Sequence, residues 1–295
     1  MKDRWVRVLG LGACLIVLAA GGASAQVTTY GWAGTVDTDW SNTGNWRFNT
    51  TPGAGGTNFA CIFVSNGTGN ALYYTAAQGD SYYANTNTVT GSGRTLRIAD
   101  GAGSTGTLYI TGGTMETRGA GGDLVGNGAN SYAAVIVDGG KYVSSTNGTM
   151  LFGNAGARAV LTINSGTGLV GTIQAANSTV GEINLNGGLF QVNQITRSGT
   201  MNLSINFNGA TVRARSNQSW WMPVAGTTYN ILGGGAILDT AGVSVGLAGA
   251  MAGVGGLSKI GNGVLTLGGA NSYDGVTTVS GGSLVVTNED RESGV

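Results

Sequence analysis

The sequence predicts an all-β protein folded as a right-handed single-stranded parallel β-helix, a β-solenoid with an aromatic-rich N-terminal cap. Three observations support this prediction. Glycine accounts for 56 of 295 residues, proline for 2, and charged residues for 9%, a composition typical of short strands joined by tight turns. Runs in which apolar and small polar residues alternate recur along the chain, as in half-buried strands. They recur every 22 to 27 residues, a spacing that suits one coil of a solenoid.

The first 25 residues have the order of a secretory signal peptide. Residues 1–7 carry three basic side chains, residues 8–20 are apolar, and residues 23–25 read Ala-Ser-Ala, which is a typical cleavage site. An apolar run of 13 residues is shorter than the roughly 20 that a transmembrane helix needs. The sequence therefore predicts export, with a mature chain that begins near Gln26.

Residues 26–90 repeat less clearly, and we expect them to form an N-terminal cap and the first coils. Trp32, Trp40 and Trp46 cluster in this segment. The first coil of a solenoid exposes an unpaired strand edge, which promotes aggregation, and bulky aromatic side chains could cover it. The same indoles could instead stack on sugar rings, so Trp40 and Trp46 are the candidate surface-binding residues.

Residues 91–215 contain the clearest β-helix repeats. Each copy is an apolar-x-apolar strand followed by a turn that usually contains glycine. Five such strands begin at Leu108, Val135, Leu161, Ile183 and Ile205. We expect these five residues to stack in parallel and to point inward, because a single coil cannot bury its apolar face alone. The rival interpretation is an antiparallel sandwich built from hairpins, but the persistent register favours the solenoid.

The repeats are interrupted after residue 215. Trp220 and Trp221 break the pattern and a glycine-rich stretch follows. We expect residues 216–254 to form an irregular Gly-rich coil or loop. Residues 287–295 are predicted to be a tail.

Between them, residues 255–286 alternate regularly again. They contain Gly-Leu-x-Lys-x-Gly-x-Gly from Gly256, Leu-Thr-Leu from Leu265, Ala-Asn-x-Tyr-x-Gly from Ala270 and Gly-Gly-x-Leu from Gly281. This segment resembles the autotransporter-associated β-strand repeat of secreted bacterial passenger proteins. The resemblance covers 32 of 295 residues. It implies a secreted or surface β-solenoid and names no chemistry.

The sequence offers few residues for catalysis. It has no histidine, and Cys61 is the one cysteine that follows the signal peptide, which excludes His-dependent nucleophiles and zinc-thiolate sites. Glycoside hydrolysis needs two carboxylates that flank one bond. Asp100, Asp123 and Asp138 come near corresponding corners of neighbouring coils, but we expect them at exposed turns. The sequence therefore predicts no catalytic residue, no metal, no cofactor and no enzymatic activity.

These features together predict an exported structural or adhesive β-solenoid, passenger-like, that presents a rigid repeat surface. The expected location is secreted or at the bacterial cell surface, in association with the outer membrane. Expected partners are surface polysaccharide or other cell-surface components. No basic stripe favours nucleic acid, and no segment is apolar enough to span a membrane. The alternative is a carbohydrate-binding or carbohydrate-degrading β-helix, which an acidic cluster in one groove would favour.

Overall fold

A computed structural model describes most of the chain after the predicted signal peptide. The signal peptide, residues 1–25, lies outside the described residues, as do residues 288–295 of the predicted tail. The structure describes residues 28–32, 36–37, 39–47, 51, 56–64, 72–74, 78, 80–84, 96–118, 121–177, 180–223 and 225–287.

Within these residues the chain is almost entirely β-structure, with one 3₁₀ turn at Thr43–Asn45. The strands of the N-terminal part are β1 (Thr28–Trp32), β2 (Trp46–Arg47), β3 (Gly56–Val64), β4 (Leu72–Tyr74), β5 (Asp80–Ala84), β6 (Leu96–Asp100), β7 (Thr105–Ile110), β8 (Thr114–Thr117), β9 (Leu124–Asn127), β10 (Tyr132–Asn154) and β11 (Arg158–Ala175). The following strands are β12 (Val180–Leu185), β13 (Leu189–Arg197), β14 (Asn202–Phe207), β15 (Thr211–Ala214), β16 (Gln218–Met222), β17 (Thr227–Ile231), β18 (Ala236–Asp239), β19 (Val245–Leu247), β20 (Met251–Gly253), β21 (Leu257–Ile260), β22 (Val264–Leu267), β23 (Ser272–Tyr273), β24 (Thr277–Val279) and β25 (Ser283–Val286).

The strands stack in parallel, coil upon coil, so the predicted β-solenoid is confirmed. Val135 of β10 lies opposite Leu108 of β7 and Leu161 of β11. Ile183 of β12 lies opposite Leu161 and Ile205. All five side chains are fully buried. The five repeat strands therefore occupy the register that the sequence predicts, with the aligned residues inward.

Each coil contributes strand segments to three faces of the rod. The clearest case is β10, which pairs in turn with β7, β8 and β9 of the preceding coil. In the C-terminal part, β16, β19, β22 and β25 form a separate four-stranded parallel sheet. This four-stranded sheet forms one face of the last coils.

Residues 216–254, for which the sequence predicts an irregular Gly-rich coil or loop, contain regular strands of the solenoid. They contain strands β16 to β20, of which β17 and β18 pair with the preceding coil in the regular parallel register. Inward Tyr229, Ile231 and Leu238 are buried. Glycine-rich turns follow one another at short intervals here, and each strand is short. The alternation of apolar and polar residues within a strand is therefore hard to recognise in the sequence.

The turns between strands bring backbone segments of successive coils very close together. Gly122 has a φ of +69°, and a Cβ at this position would collide with the backbone carbonyl of Thr149 in the next coil. Glycine reaches this conformation without steric cost. A corner of this kind therefore accepts no side chain, which accounts for part of the glycine content.

Asparagine side chains form ladders at the corners and along the outer face. Asn230 Nδ2 donates to Asn206 Oδ1, and Asn206 Nδ2 donates to Asn184 Oδ1, both at 2.7 Å. A second ladder joins Asn164, Asn186 and Asn208. A third runs from Asn154 through Asn127 to the Asp100 carboxylate, at 2.9 and 2.7 Å. The central amides Asn127, Asn186 and Asn206 both donate and accept, so the ladders tie successive coils together outside the apolar core.

We expect the substitution Leu185→Asp to unfold the coils around β12. Leu185 is fully buried, opposite Ile163 and Phe207 of the adjacent coils. An unpaired buried charge costs several kcal/mol, of the order of the whole stability of a domain. The control is Asn202→Asp, which places the same charge on an exposed position of β14. Circular dichroism and urea denaturation should show loss of β-structure for the first variant alone; equal unfolding midpoints would contradict the inward assignment.

Candidate functional site

The aromatic cluster at the N-terminal end is buried. Trp46 makes edge-to-face contacts with Trp32 and Trp40, with ring centroids 5.2 and 4.9 Å apart, and Trp40 contacts Tyr74 in the same manner at 5.3 Å. Such pairs add to the stabilisation from burial alone. Trp40 and Trp46 are 3% and 2% exposed. A sugar-stacking platform needs an exposed indole face, which these two candidate surface-binding residues do not have.

Hydrogen bonds hold the loop that carries this cluster. The buried Asn45 side chain donates to Asp37 Oδ1 at 2.6 Å and to the Asp39 carbonyl at 3.1 Å. Trp46 Nε1 donates to the Trp40 carbonyl at 2.8 Å. The pKa of Asp37 is lowered, first by the hydrogen bond from the Asp39 backbone N–H and then by the neighbouring asparagine side chains. The arrangement fixes Trp40 against the core.

The three carboxylates singled out in the sequence do not converge. Asp100 forms an ion pair with Arg97 at 2.9 Å. Asp138 is exposed and accepts a hydrogen bond from Ser165. Asp123, by contrast, is fully buried, which corrects the expectation that it lies at an exposed turn. The three belong to different corners of the coil, because Asp100 ends β6, Asp123 precedes β9 and Asp138 interrupts the regular register of β10.

Asp123 is buried because four donors from two successive coils converge on it. Its Oδ2 accepts hydrogen bonds from the hydroxyls of Thr117, Tyr142 and Ser144 at 2.6 to 2.7 Å. Its Oδ1 accepts from the backbone N–H of Leu96 at 3.2 Å. This satisfies the rule that buried polar groups must be hydrogen-bonded. With no solvent-accessible surface, the group joins coils and offers nothing to a substrate.

Burial also changes the acidity of this cluster. Desolvation raises the pKa of Asp123, while the hydrogen bonds from Ser144, Thr117 and Tyr142 oppose that rise. The pKa of Tyr142 lies well above its usual range, chiefly because the phenol is buried and also because the negative Asp123 is adjacent. The tyrosine therefore stays protonated and remains a donor.

Lys259 is the cationic counterpart of Asp123 in the last coils. Its side chain is fully buried. The ammonium donates to the Thr240 hydroxyl at 2.9 Å and to the carbonyls of Ile260, Gly261 and Gly281 at 2.9, 2.7 and 2.9 Å. These acceptors lie at or just after the ends of β18, β21 and β24, so one side chain joins three successive coils. We call this arrangement the lysine clamp.

Two effects shift the pKa of Lys259 in opposite directions. Desolvation lowers the pKa of Lys259, and the nearby negative charge of Asp239 opposes that change. Asp239 is itself held by Arg213, whose Nε lies 2.7 Å from Oδ2. The clamp is thus a structural element of the fold and has no accessible surface for a ligand.

An open groove lies on the four-stranded sheet, and it has a volume of about 600 Å³. Trp220 lines it and is 61% exposed, whereas its neighbour Trp221 is fully buried. Gln218 lies opposite Val245 and Met222 opposite Leu247, so four steps along β16 match two along β19. This bulge pushes Trp220 outward, as extra residues in a strand commonly do. We call this feature the Trp220 groove.

The described residues offer no obvious place for a metal ion. Among them, no group of three or more His, Cys, Asp or Glu side chains is arranged to hold one. The same part of the chain contains no helix that is both long and apolar enough to cross a membrane.

The raised pKa of Asp123 predicts how the unfolding free energy changes with pH. The folded state holds the proton more tightly than the unfolded state, so the contribution of Asp123 to stability falls as pH rises from the usual value of 3.8 through the folded pKa. We expect Asp123→Asn to lack this contribution. The difference in unfolding free energy between wild type and this variant should therefore change across that window. Asp138→Asn, which removes an exposed carboxylate, is the control; parallel pH profiles for wild type and Asp123→Asn would contradict the burial.

Removal of the lysine clamp should destabilise the last coils. We expect Lys259→Met to leave the carbonyl oxygens of Gly261 and Gly281 without the ammonium donor, at a cost of roughly 1–3 kcal/mol for each group. Ser258→Ala, on the outward side of β21, is the matched control. Limited proteolysis should cut the first variant faster within residues 257–286. Equal proteolysis rates for wild type, variant and control would refute the structural role of the ammonium.

Comparison with known protein families gives a match in the last coils. Residues 257–286 match the passenger-associated-transport-repeat family. They include Lys259 of the lysine clamp and strands β21 to β25. No curated protein and no solved structure matches the chain significantly. The resemblance that the sequence motifs indicate is thus confirmed, and the chain is a β-solenoid whose last coils carry an autotransporter-associated repeat.

Proposed function

We propose that this chain is an exported structural or adhesive protein that presents a rigid repeat surface at or outside the bacterial cell. The observation that carries the proposal is the way the passenger-associated repeat joins the rod. Strands β21 and β22 pair in parallel register with β18 and β19 of the preceding coil. The repeat therefore continues the solenoid and is not a separate appendage.

The contacts between coils support rigidity. Apolar rows, asparagine ladders and the two buried charges each connect a coil to its neighbours. In a solenoid, stability is approximately the sum of such nearest-neighbour contacts. A rod held in three independent ways keeps its outer side chains at fixed spacing, which is what a presentation surface requires.

The distribution of charges favours presentation over catalysis, and we propose that the chain is not an enzyme. General acid–base chemistry needs paired groups in an accessible cleft. The carboxylates of Asp100, Asp123 and Asp138 lie at different corners, and that of Asp123 is sealed from solvent. The groups in the Trp220 groove are uncharged. The proposal requires no cofactor.

Two independent features support the proposal of export. Residues 1–25 have the order of a signal peptide, and the family matched by residues 257–286 is named for passengers and transport. Both support a secreted or surface location. Polysaccharide or another component of the cell surface is the partner class that suits this location.

The test is expression of the whole chain in a Gram-negative bacterium, with a variant that lacks residues 2–20 as control. We expect the wild-type product outside the cytoplasm, with an N-terminus near Gln26 by sequencing of the purified protein. The control should stay in the cytoplasm. A wild-type product with an intact Met1 in the cytosol would overturn the proposal.

A further inference from the structure

We propose that the Trp220 groove binds a neutral polysaccharide, with the Trp220 indole as its stacking platform. The biological meaning of this binding rests on the proposed function, in which the chain presents its surface outside the cell. The binding itself is a property of the purified protein. Failure of export and failure of binding are therefore separate results.

The first argument is the exposure of Trp220. Trp32, Trp40, Trp46 and Trp221 are at most 3% exposed, whereas Trp220 is 61% exposed. A large aromatic surface left in water forgoes the free energy of burial, and an exposed apolar surface beside a groove marks an interaction site. Trp220 is therefore the one indole among the described residues that presents a broad face to a ligand.

The second argument is that the platform is held in place before any ligand arrives. The Trp220 carbonyl accepts a hydrogen bond from Gln194 Nε2 at 2.7 Å. The adjacent Trp221 is buried, and its Nε1 donates to the Val192 carbonyl at 3.2 Å. The chain is thus anchored to β13 at the Trp220 carbonyl and at the following residue. A preorganised site loses less entropy when it binds.

The third argument is the chemistry of the lining. Three hydroxyl-bearing residues, Ser219, Ser244 and Thr266, line the groove. Asn217 and Gln218 also line it, and their amides each keep one polar atom beyond the bonds to Ser244 N and Ser216 Oγ. None of the lining side chains carries a charge. Hydroxyl and amide groups can both donate and accept hydrogen bonds. They can therefore pair with the hydroxyl groups of a sugar, which also do both. An anionic polysaccharide would call for arginine or lysine, so the lining favours a neutral ligand.

The fourth argument is shape. The groove is lined by residues of β16, β19 and β22 and by Thr287, which follows β25. Four strands at a spacing of about 4.8 Å span about 14 Å. Gly246 and Gly268 contribute no side chain along this path. A shallow path across several coils suits an extended chain of sugar rings better than a compact small molecule.

The experiment is affinity electrophoresis of the purified protein, whether or not it is exported, in native gels that contain a soluble polysaccharide. The neutral probes are dextran, galactomannan and hydroxyethyl cellulose, and the anionic probe is polygalacturonate. We expect at least one neutral probe to retard wild type. Trp220→Ala should weaken binding by a factor on the order of ten or more, as truncation of an aromatic anchor commonly does. Trp220→Phe, which keeps an aromatic ring, should retain part of the affinity.

A second pair of variants tests the groove without touching the indole. A Cβ at Gly268 would have its nearest neighbours, in Ala248 and Thr287, at 3.5 Å, an ordinary contact distance. We therefore expect Gly268→Ala to fold and to bind, and Gly268→Gln to fold and to obstruct the groove. Circular dichroism verifies the fold of all four variants.

Three results would overturn the proposal. One is the absence of retardation by every neutral probe. Another is unchanged retardation of Trp220→Ala or Gly268→Gln. The third is retardation by polygalacturonate alone, which would indicate a charge-dependent site elsewhere. Self-association that depends on Trp220, without polysaccharide binding, would assign the groove to a second copy of the chain instead.

Discussion

The register between successive coils is the constraint on which the rest of this structure depends. Each inward side chain packs on the residue at the same position of the coil below, as in the row that joins Leu108, Val135, Leu161, Ile183 and Ile205. Because side chains alternate between the two faces of a strand, a shift of one residue would turn a whole apolar row outward. The register also fixes which backbone carbonyls, amides and hydroxyls meet at each corner.

Two buried groups of opposite charge solve the same problem at these corners. The Asp123 carboxylate accepts hydrogen bonds from hydroxyl and backbone N–H groups. The Lys259 ammonium donates hydrogen bonds to hydroxyl and carbonyl oxygens. Burial of either charge alone would be costly. Each compensates by satisfying several polar groups at once, at a place where the backbone leaves a regular strand and cannot pair with itself. Neither group has a solvent-exposed surface, and both are therefore parts of the scaffold.

The sequence allowed the architecture and the register of the central repeats to be predicted, because alternation and spacing encode them directly. It did not allow exposure to be predicted for single polar or aromatic residues. Trp40 and Trp46 are buried by Trp32 and Tyr74, and Trp220 is exposed by a bulge that only the pairing of β16 with β19 reveals. Asp123 lies in a glycine-rich stretch typical of an exposed turn, yet its donors Tyr142 and Ser144 come from the next coil, about 20 residues away. Contacts at such separations depend on the corner geometry, which no local pattern records.

The asparagine ladder that ends on Asp100 gives the rod a chemical direction. A carboxylate can only accept hydrogen bonds, so Asn127 must turn its NH₂ group toward Asp100 and its oxygen toward Asn154. The other two ladders are oriented the same way, with each amide donating toward the N-terminal coil. Hydrogen bonds that follow one another in such a chain polarise one another. Each asparagine of a ladder therefore offers its NH₂ group to the preceding coil and its oxygen to the following coil, so an added coil would need a donor, and not a second oxygen, at the same corner.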